Sequence, residues 1–286
     1  MDRFMDQIPS YIKMLRIQDW IKFYPVFPLI GAYLVCGISL NLIPVCIIFI
    51  CVIGYGFVIN NYFDVEIDKK HQEKVELDKN PLAGGHVTKR GTLLLSAGLV
   101  AVAAVLSAMI SIYGFIFTFL SILALTFYSA EPLRLKDRFL VDILTHGLMF
   151  GGFPFLAGFT LAGTDVFLSL QMPMAVASLC TIICCEALIA HEINDYREDL
   201  GNTYTTVVKI GQRNGAILMG LSLLLSLINL ELIVHYFGIG TYLHLGIFAL
   251  LVIYPGYSCR GEVVGQMKRV YEKVQVLRAF LIQKVT

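Results

Sequence analysis

The chain has 286 residues, 57% of them hydrophobic and only 15% charged, with a formal net charge of +1 and a mean hydropathy of +0.73. Soluble domains carry about 25% charged residues, so this composition excludes an ordinary water-soluble enzyme. The near-neutral charge, with no basic-aromatic motif and no zinc spacing, leaves no nucleic acid among the expected partners. The cysteines, Cys36, Cys46, Cys51, Cys180, Cys184, Cys185 and Cys259, are odd in number, and six lie inside apolar runs, as small packing residues do.

In chain order, Asp2 and Asp6 break the positive n-region that a signal peptide requires. Ile8, Tyr11, Ile12, Leu15 and Trp20 fall on one side of a helix, which predicts an interfacial N-terminal helix over 1–20. Eight apolar runs follow, each near the roughly 20 helical residues that cross a bilayer. They cover 21–40, 42–61, 93–112, 114–130, 139–161, 172–192, 215–236 and 242–258. A last segment, 268–286, is helical by pattern but carries Lys268, Arg269, Lys273, Arg278 and Lys284. It reads either as an interfacial helix or as the start of a ninth span.

Charge fixes the sidedness of this all-α, polytopic bundle. Lys and Arg precede or open span one (Lys22 just inside it), or lie between spans two and three, four and five, and six and seven, or follow span eight. All 22 therefore fall on one side, and the positive-inside rule makes that side cytoplasmic. The loops 62–92 and 193–214 on that side are long and polar, which predicts cap loops over a cytoplasmic active site of a cell-membrane protein. Each begins with an acidic motif at the end of a span, with four spans separating the two, so the chain reads as a single domain of two related four-helix halves.

The first motif is Asn60-Asn61-Tyr62-Phe63-Asp64-Val65-Glu66-Ile67-Asp68, in which Asn60, Asp64 and Asp68 form one helical stripe. The second, His191-Glu192-Ile193-Asn194-Asp195-Tyr196-Arg197-Glu198-Asp199, repeats the spacing in Asp195 and Asp199. Like charges one turn apart repel, and a nearby bilayer raises the cost of keeping them ionised. Mg²⁺ relieves both penalties, because it takes hard oxygens from one or two carboxylates and completes its shell with water and substrate phosphates. Two facing stripes would hold magnesium ions and a diphosphate between them. Cations for the phosphates come from Tyr128-Ser129-Ala130-Glu131-Pro132-Leu133-Arg134-Leu135-Lys136, from Lys79 and from Lys22.

Two other classes compete. A secondary transporter with paired repeats would place its ionisable groups near the bilayer midplane, whereas here only Glu186 and Glu231 lie deep in spans. A CDP-alcohol phosphotransferase would need a DGxxAR element before its DxxxD, which this sequence lacks.

Along essentially its whole length the chain resembles the UbiA superfamily of intramembrane prenyltransferases. NNYFDVEID matches the NxxxDxxxD motif, NDYREDLGNTYTTVVKIG the DxxxD motif, and YSAEPLRLK the segment between them, while KNPLAGG (79–85) looks like the basic segment after the first motif. The resemblance implies a nine-helix ring around a central cavity, so that with the runs above the chain is expected to have eight to nine helices. It also implies transfer of a prenyl group from an isoprenyl diphosphate to a lipophilic acceptor, aromatic by expectation, in lipid or quinone biosynthesis. It implies that Asn60, Asp64, Asp68, Asp195 and Asp199 bind the diphosphate through Mg²⁺, and that Tyr128, Ser129, Arg134 and Lys136 contact it directly. Two positions depart from the pattern. His191 stands where many members have Asp or Asn, and Asn80 replaces the usual Arg before Pro81.

Such a reaction leaves an allylic cation that aromatic faces can shield. Phe150, Phe153, Phe155 and Phe159 on span five are candidates, with Gly151, Gly152 and Gly158 expected to open room for an apolar tail. His191 or Glu192 is a candidate for taking the acceptor's proton.

Overall fold

The computed structural model describes residues 8–69, 79–163, 171–201 and 203–258, and among these all regular secondary structure is helical. The order is α1 (Ile8–Met14), α2 (Ile17–Trp20), α3 (Val26–Cys36), α4 (Leu42–Phe63), α5 (Val65–Asp68), α6 (Lys89–Ile110), α7 (Ile112–Ser129), α8 (Val141–Gly147), α9 (Phe153–Ala162), α10 (Gln171–Asp199), α11 (Thr206–Ile210), α12 (Gln212–Phe237) and α13 (Thr241–Ser258). A π-turn over Leu148–Gly152 joins α8 to α9. Among the described residues, six helices are long and apolar enough to cross a membrane, with α8–α9 as one of them. Helices suit that solvent because they satisfy their own backbone groups where no water can. The chain is thus a multi-pass membrane protein. The segment 268–286, the middle of the 62–92 loop and Cys259 lie outside the described residues.

Each of the eight apolar runs is helical, with a correction at the first. α3 has only 11 residues, about 16 Å at the α-helical rise, against a hydrocarbon core of about 30 Å. Pro25 stands at its N-cap and Gly37, at φ 62°, ends it, so Lys22 lies on the turn before the helix rather than inside a span. The N-terminal segment is corrected as well. It breaks at Arg16, whose backbone is left-handed at φ 49°, and its buried residues are Met14 and Trp20, while Ile8 and Ile12 are exposed. Met14 packs with Val58, Val65, Leu82 and Val87. The Trp20 indole donates to the Leu15 carbonyl at 2.7 Å, and the Arg16 guanidinium lies 5.1 Å over the Phe57 ring. The segment is therefore clasped onto α4 by specific contacts, with one apolar edge facing outward.

The chain divides into two compact units, Met1–Cys185 and Glu186–Thr286, with the division inside α10. In the first unit α9 packs on α3 and α7, and α4 packs on α6 and α7, around a core that includes Phe27, Ile48, Phe49, Val52, Phe155 and Phe159. The glycines set these contacts. A Cβ on Gly158 would lie 1.9 Å from the Pro28 carbonyl oxygen, and one on Gly31 would lie 2.2 Å from that of Phe155. On Gly151 it would meet the Cys180 carbonyl oxygen at 2.3 Å, and on Gly152 the Thr181 hydroxyl at 2.3 Å. This corrects the expectation that Gly151, Gly152 and Gly158 open room for a tail, because they bring helices into contact instead. Phe155 and Phe159 are core residues for the same reason. Buried hydroxyls bond carbonyls of the preceding turn, as Ser107 does to Ala103 at 2.7 Å and Thr160 to Leu156 at 2.7 Å.

In the second unit α12 packs against α11 and α13. Only 22% of the most apolar window of α12 is buried, with Leu221, Leu224, Leu225 and Leu232 exposed. Outward leucines of this kind suit a lipid solvent.

Candidate active site

α4 ends at Asp64, where the backbone leaves the helical region (φ −90°, ψ 3°), and α5 adds one further turn. The ladder nevertheless runs on through the bend. Asp64 N donates to Asn60 O at 2.9 Å and Asp68 N to Asp64 O at 2.8 Å. Asn60, Asp64 and Asp68 thus stay on one stripe, as their spacing predicts, and Asp64 and Asp68 are buried.

The loop after α7 delivers the counter-charges. A 3₁₀ turn over Leu135–Asp137 follows Arg134, whose backbone is left-handed at φ 36° and ψ 61°, a conformation that costs about 1 kcal/mol or more outside glycine. Arg134 is held there by its side chain, which donates Nη2 to Asp64 Oδ1 at 3.1 Å and Nε to Asp137 Oδ2. Lys136 donates Nζ to Asp64 Oδ2 and, at 3.1 Å, to Asn60 Oδ1. The Ser129 hydroxyl donates to the same Asn60 oxygen at 2.8 Å. Side-chain exposures of 12% for Asp64, 15% for Lys136 and 18% for Arg134 place this cluster well out of bulk water. Burial pushes the Lys136 ammonium below its ordinary pKa, more than the Asp64 carboxylate raises it, and Arg134 adds like-charge repulsion. Burial acts the same way on Arg134, but Asp137 and Asp64 outweigh it and hold that guanidinium above its usual value.

An ammonium held by an amide oxygen and a carboxylate oxygen marks a place for a cation among hard donors, the kind Mg²⁺ takes. Among the described residues no group of three or more His, Cys, Asp or Glu side chains surrounds a single point. A metal at Asn60 and Asp64 would therefore complete its shell with other oxygens, such as those of a phosphate.

Asn80 has a role that sequence reasoning did not assign. Its Nδ2 donates to Asp68 Oδ2 at 2.9 Å and to the Asn61 carbonyl at 2.8 Å, while its Oδ1 accepts from Leu82 N at 3.1 Å and Ala83 N at 3.4 Å. Read as a lost cation, it is instead a buried clamp that ties the 79–85 turn to the end of the stripe. Lys79 beside it and Lys22 are both exposed, and neither joins the hydrogen-bond network around Asp64.

Tyr128, next to Ser129 in the chain, belongs to an aromatic group. Phe150 stacks on Tyr24 at a centroid distance of 4.1 Å, and His146 is 4.8 Å from Phe150 and 6.4 Å from Tyr128. Phe153, on the same rod, is half-buried. Tyr24 and His146 carried no role in the sequence. The signal available was Asp142 and His146, a polar i, i+4 pair inside an apolar span, where lipid penalises such residues.

In the second unit the other motif lies on the last turns of α10, with Asp195 and Asp199 half-buried and His191 exposed. His191 Nδ1 stands 3.4 Å from Asp195 Oδ2. Glu192 is buried and its Oε2 accepts from Val207 N at 3.0 Å, while Gln212 Nε2 donates to the Ile193 carbonyl at 3.1 Å. Glu192 thus braces α11 against α10.

The chain is 26% identical over 265 residues to digeranylgeranylglyceryl phosphate synthase of Methanocaldococcus jannaschii, covering 88% of this chain and 85% of that one. Its fold is similar to a UbiA homolog from Archaeoglobus fulgidus solved with DMAPP and Mg²⁺, at a TM-score of 0.75, 20% identity and coverage of 86% and 85% of the two chains. The same homolog solved with GPP and Mg²⁺ gives a TM-score of 0.73, 19% identity and coverage of 87% and 86%. The model of the UbiA prenyltransferase family matches residues 25–271, and the chain belongs to that family.

Proposed function

We propose that this prenyltransferase moves a prenyl group from an isoprenyl diphosphate to a lipophilic acceptor at the cytoplasmic face of the cell membrane. The observation that carries the reading is the Asn60–Asp64–Lys136–Arg134 cluster, where metal-type oxygens and phosphate-type cations share one half-dry site. In the reading proposed, Asp195 and Asp199 form a second magnesium-binding stripe. The homolog from Archaeoglobus fulgidus, solved with GPP and Mg²⁺, supports the donor class and the metal.

Each residue has a distinct task. Asn60, Asp64, Asp68, Asp195 and Asp199 supply oxygens to Mg²⁺. Bound magnesium lends positive charge to the departing diphosphate. Arg134 and Lys136 turn from Asp64 to the phosphate oxygens, Arg134 as a fork and Lys136 as a point charge. Their value is greatest as the allylic C–O bond breaks, because charge then accumulates on the leaving group in a water-poor site. Ser129 and Tyr128 position the head group, with Lys22 and Lys79 drawing it in from water, and Phe150 and Phe153 face the allylic tail.

The name of the Methanocaldococcus jannaschii relative favours an alcohol acceptor on a glyceryl phosphate over an aromatic one. The test is purified protein in nanodiscs with geranylgeranyl diphosphate, Mg²⁺ and either geranylgeranylglyceryl phosphate or a hydroxybenzoate, with products identified by mass spectrometry. An ether product from the first acceptor supports this choice. A prenylated ring from the second keeps the reaction class and moves the acceptor. No product from any donor refutes the reading.

A further inference from the structure

His146 is set into the rod α8–α9 with unusual care. The helix widens to a π-turn over Leu148–Gly152, immediately after it, a distortion found often at functional sites. Gly147 lies so close to α10 that a Cβ would stand 2.6 Å from the Thr181 carbonyl oxygen, and Gly151 is as close to Cys180. These two approaches bring the Cys184 carbonyl to 3.0 Å from His146 Nδ1. A carbonyl oxygen can only accept, so Nδ1 carries the hydrogen. In the neutral ring Nε2 is then the acceptor, and the Tyr24 hydroxyl lies 3.4 Å from it.

The position suits chemistry as well as packing. His146 is buried, its ring lies against Phe150 and near Tyr128, and Ser129, the next residue, bonds Asn60 of the ionic cluster. Asp142, one turn earlier on α8, is also buried, and on a helix residues four apart are neighbours. Its Oδ1 accepts from Ile143 N at 2.8 Å. A residue that only clasped α8 to α10 would need one nitrogen, and this ring directs its second nitrogen at a hydroxyl.

We propose that His146 takes the proton the acceptor loses, through Tyr24, an inference that rests on the transferase reading above. The allylic C–O bond breaks with its electron pair leaving on the diphosphate. The acceptor oxygen, or ring carbon, forms the new bond to that allylic carbon. Its proton passes to the Tyr24 oxygen as the Tyr24 proton passes to His146 Nε2. The step consumes no other reactant, and the imidazolium returns its proton to water after release.

The test separates ionisation of the donor from transfer. His146→Gln keeps a donor for the Cys184 carbonyl but is not basic. Positioned general bases contribute about 10²–10⁴-fold, so kcat for transfer, with whichever of the two acceptors the wild type consumes, should fall at least about 100-fold with KM little changed. Diphosphate release without acceptor should persist, and Tyr24→Phe should fall between His146→Gln and wild type. Nitrogen-15 spectra of histidine-labelled full-length protein should show His146 protonated at Nδ1 only. Normal transfer by His146→Gln, equal loss of release and transfer, or a resting proton on Nε2 would each overturn the inference. A wild type that ionises its donor while His146→Gln transfers normally sinks this inference alone, whereas a wild type that ionises no donor sinks the transferase reading itself.

Discussion

The Lys136 ammonium is held between Asn60 Oδ1 and the Asp64 carboxylate, two of the groups assigned to magnesium. This lysine shares with Arg134 the neutralisation of a buried carboxylate, whose burial without counter-charge would be costly. It must also be displaced before a metal can use the same oxygens. Lys136→Met should therefore bind Mn²⁺ alone more tightly than wild type, because the internal competitor is gone. It should bind a prenyl thiodiphosphate less tightly, because a charge-assisted contact of about 1.5–3 kcal/mol is lost. Paramagnetic titration of the two proteins, with and without the analogue, checks both directions. Weaker metal binding in the variant would mean that Lys136 never competes for that position.

Asn80 makes a second prediction. It uses both ends of its amide on Asp68, Asn61, Leu82 and Ala83. Asn80→Ala strands several buried polar groups at about 1–3 kcal/mol each, and should lower Tm. Asn80→Asp should be worse at neutral pH, since it sets a second carboxylate against Asp68. Thermal unfolding in detergent decides this, and a variant as stable as wild type would show the clamp to be idle.

Glycine contacts give a third. Gly158→Ala drives a methyl group into the Pro28 carbonyl and should prevent close packing of α9 on α3. Gly98 on α6 has nothing within 4 Å of a built Cβ, and Gly98→Ala should be neutral or stabilising by about 0.5–1 kcal/mol. Equal Tm values for the two variants would contradict the close approach.

Much of this fold was legible because bilayer physics writes itself along the chain. Span length appears as an apolar run, the charged residues segregate, and the stripe of Asn60, Asp64 and Asp68 follows from the helical period alone. What was not legible depends on distant partners. Asn80 looked like a missing cation because Asp68 and Asn61 lie 12 and 19 positions away in the chain. Gly151 and Gly158 looked like open space, since a glycine in a sequence does not say whether its missing side chain leaves a gap or admits another backbone. α3 looked longer because an apolar run does not reveal where Pro25 and Gly37 begin and end the helix. His146 gained meaning only when the Cys184 carbonyl settled its tautomer.

The central claim is that both acidic stripes are required for Mg²⁺-dependent ionisation of an isoprenyl diphosphate. Its most direct test is Mg²⁺-dependent diphosphate release from geranylgeranyl diphosphate by Asp64→Asn and Asp195→Asn, beside wild type, in nanodiscs. Asparagine keeps the volume and removes the charge. Asp195→Asn, at a partly exposed carboxylate, should keep wild-type Tm. Asp64→Asn leaves Lys136 and Arg134 without their shared carboxylate and should lower Tm, so release is compared per folded protein. The account predicts that release is stopped by EDTA in the wild type and falls by at least about 100-fold in each variant, as loss of charge stabilisation at a leaving group does. Near-normal release by either folded variant would contradict it.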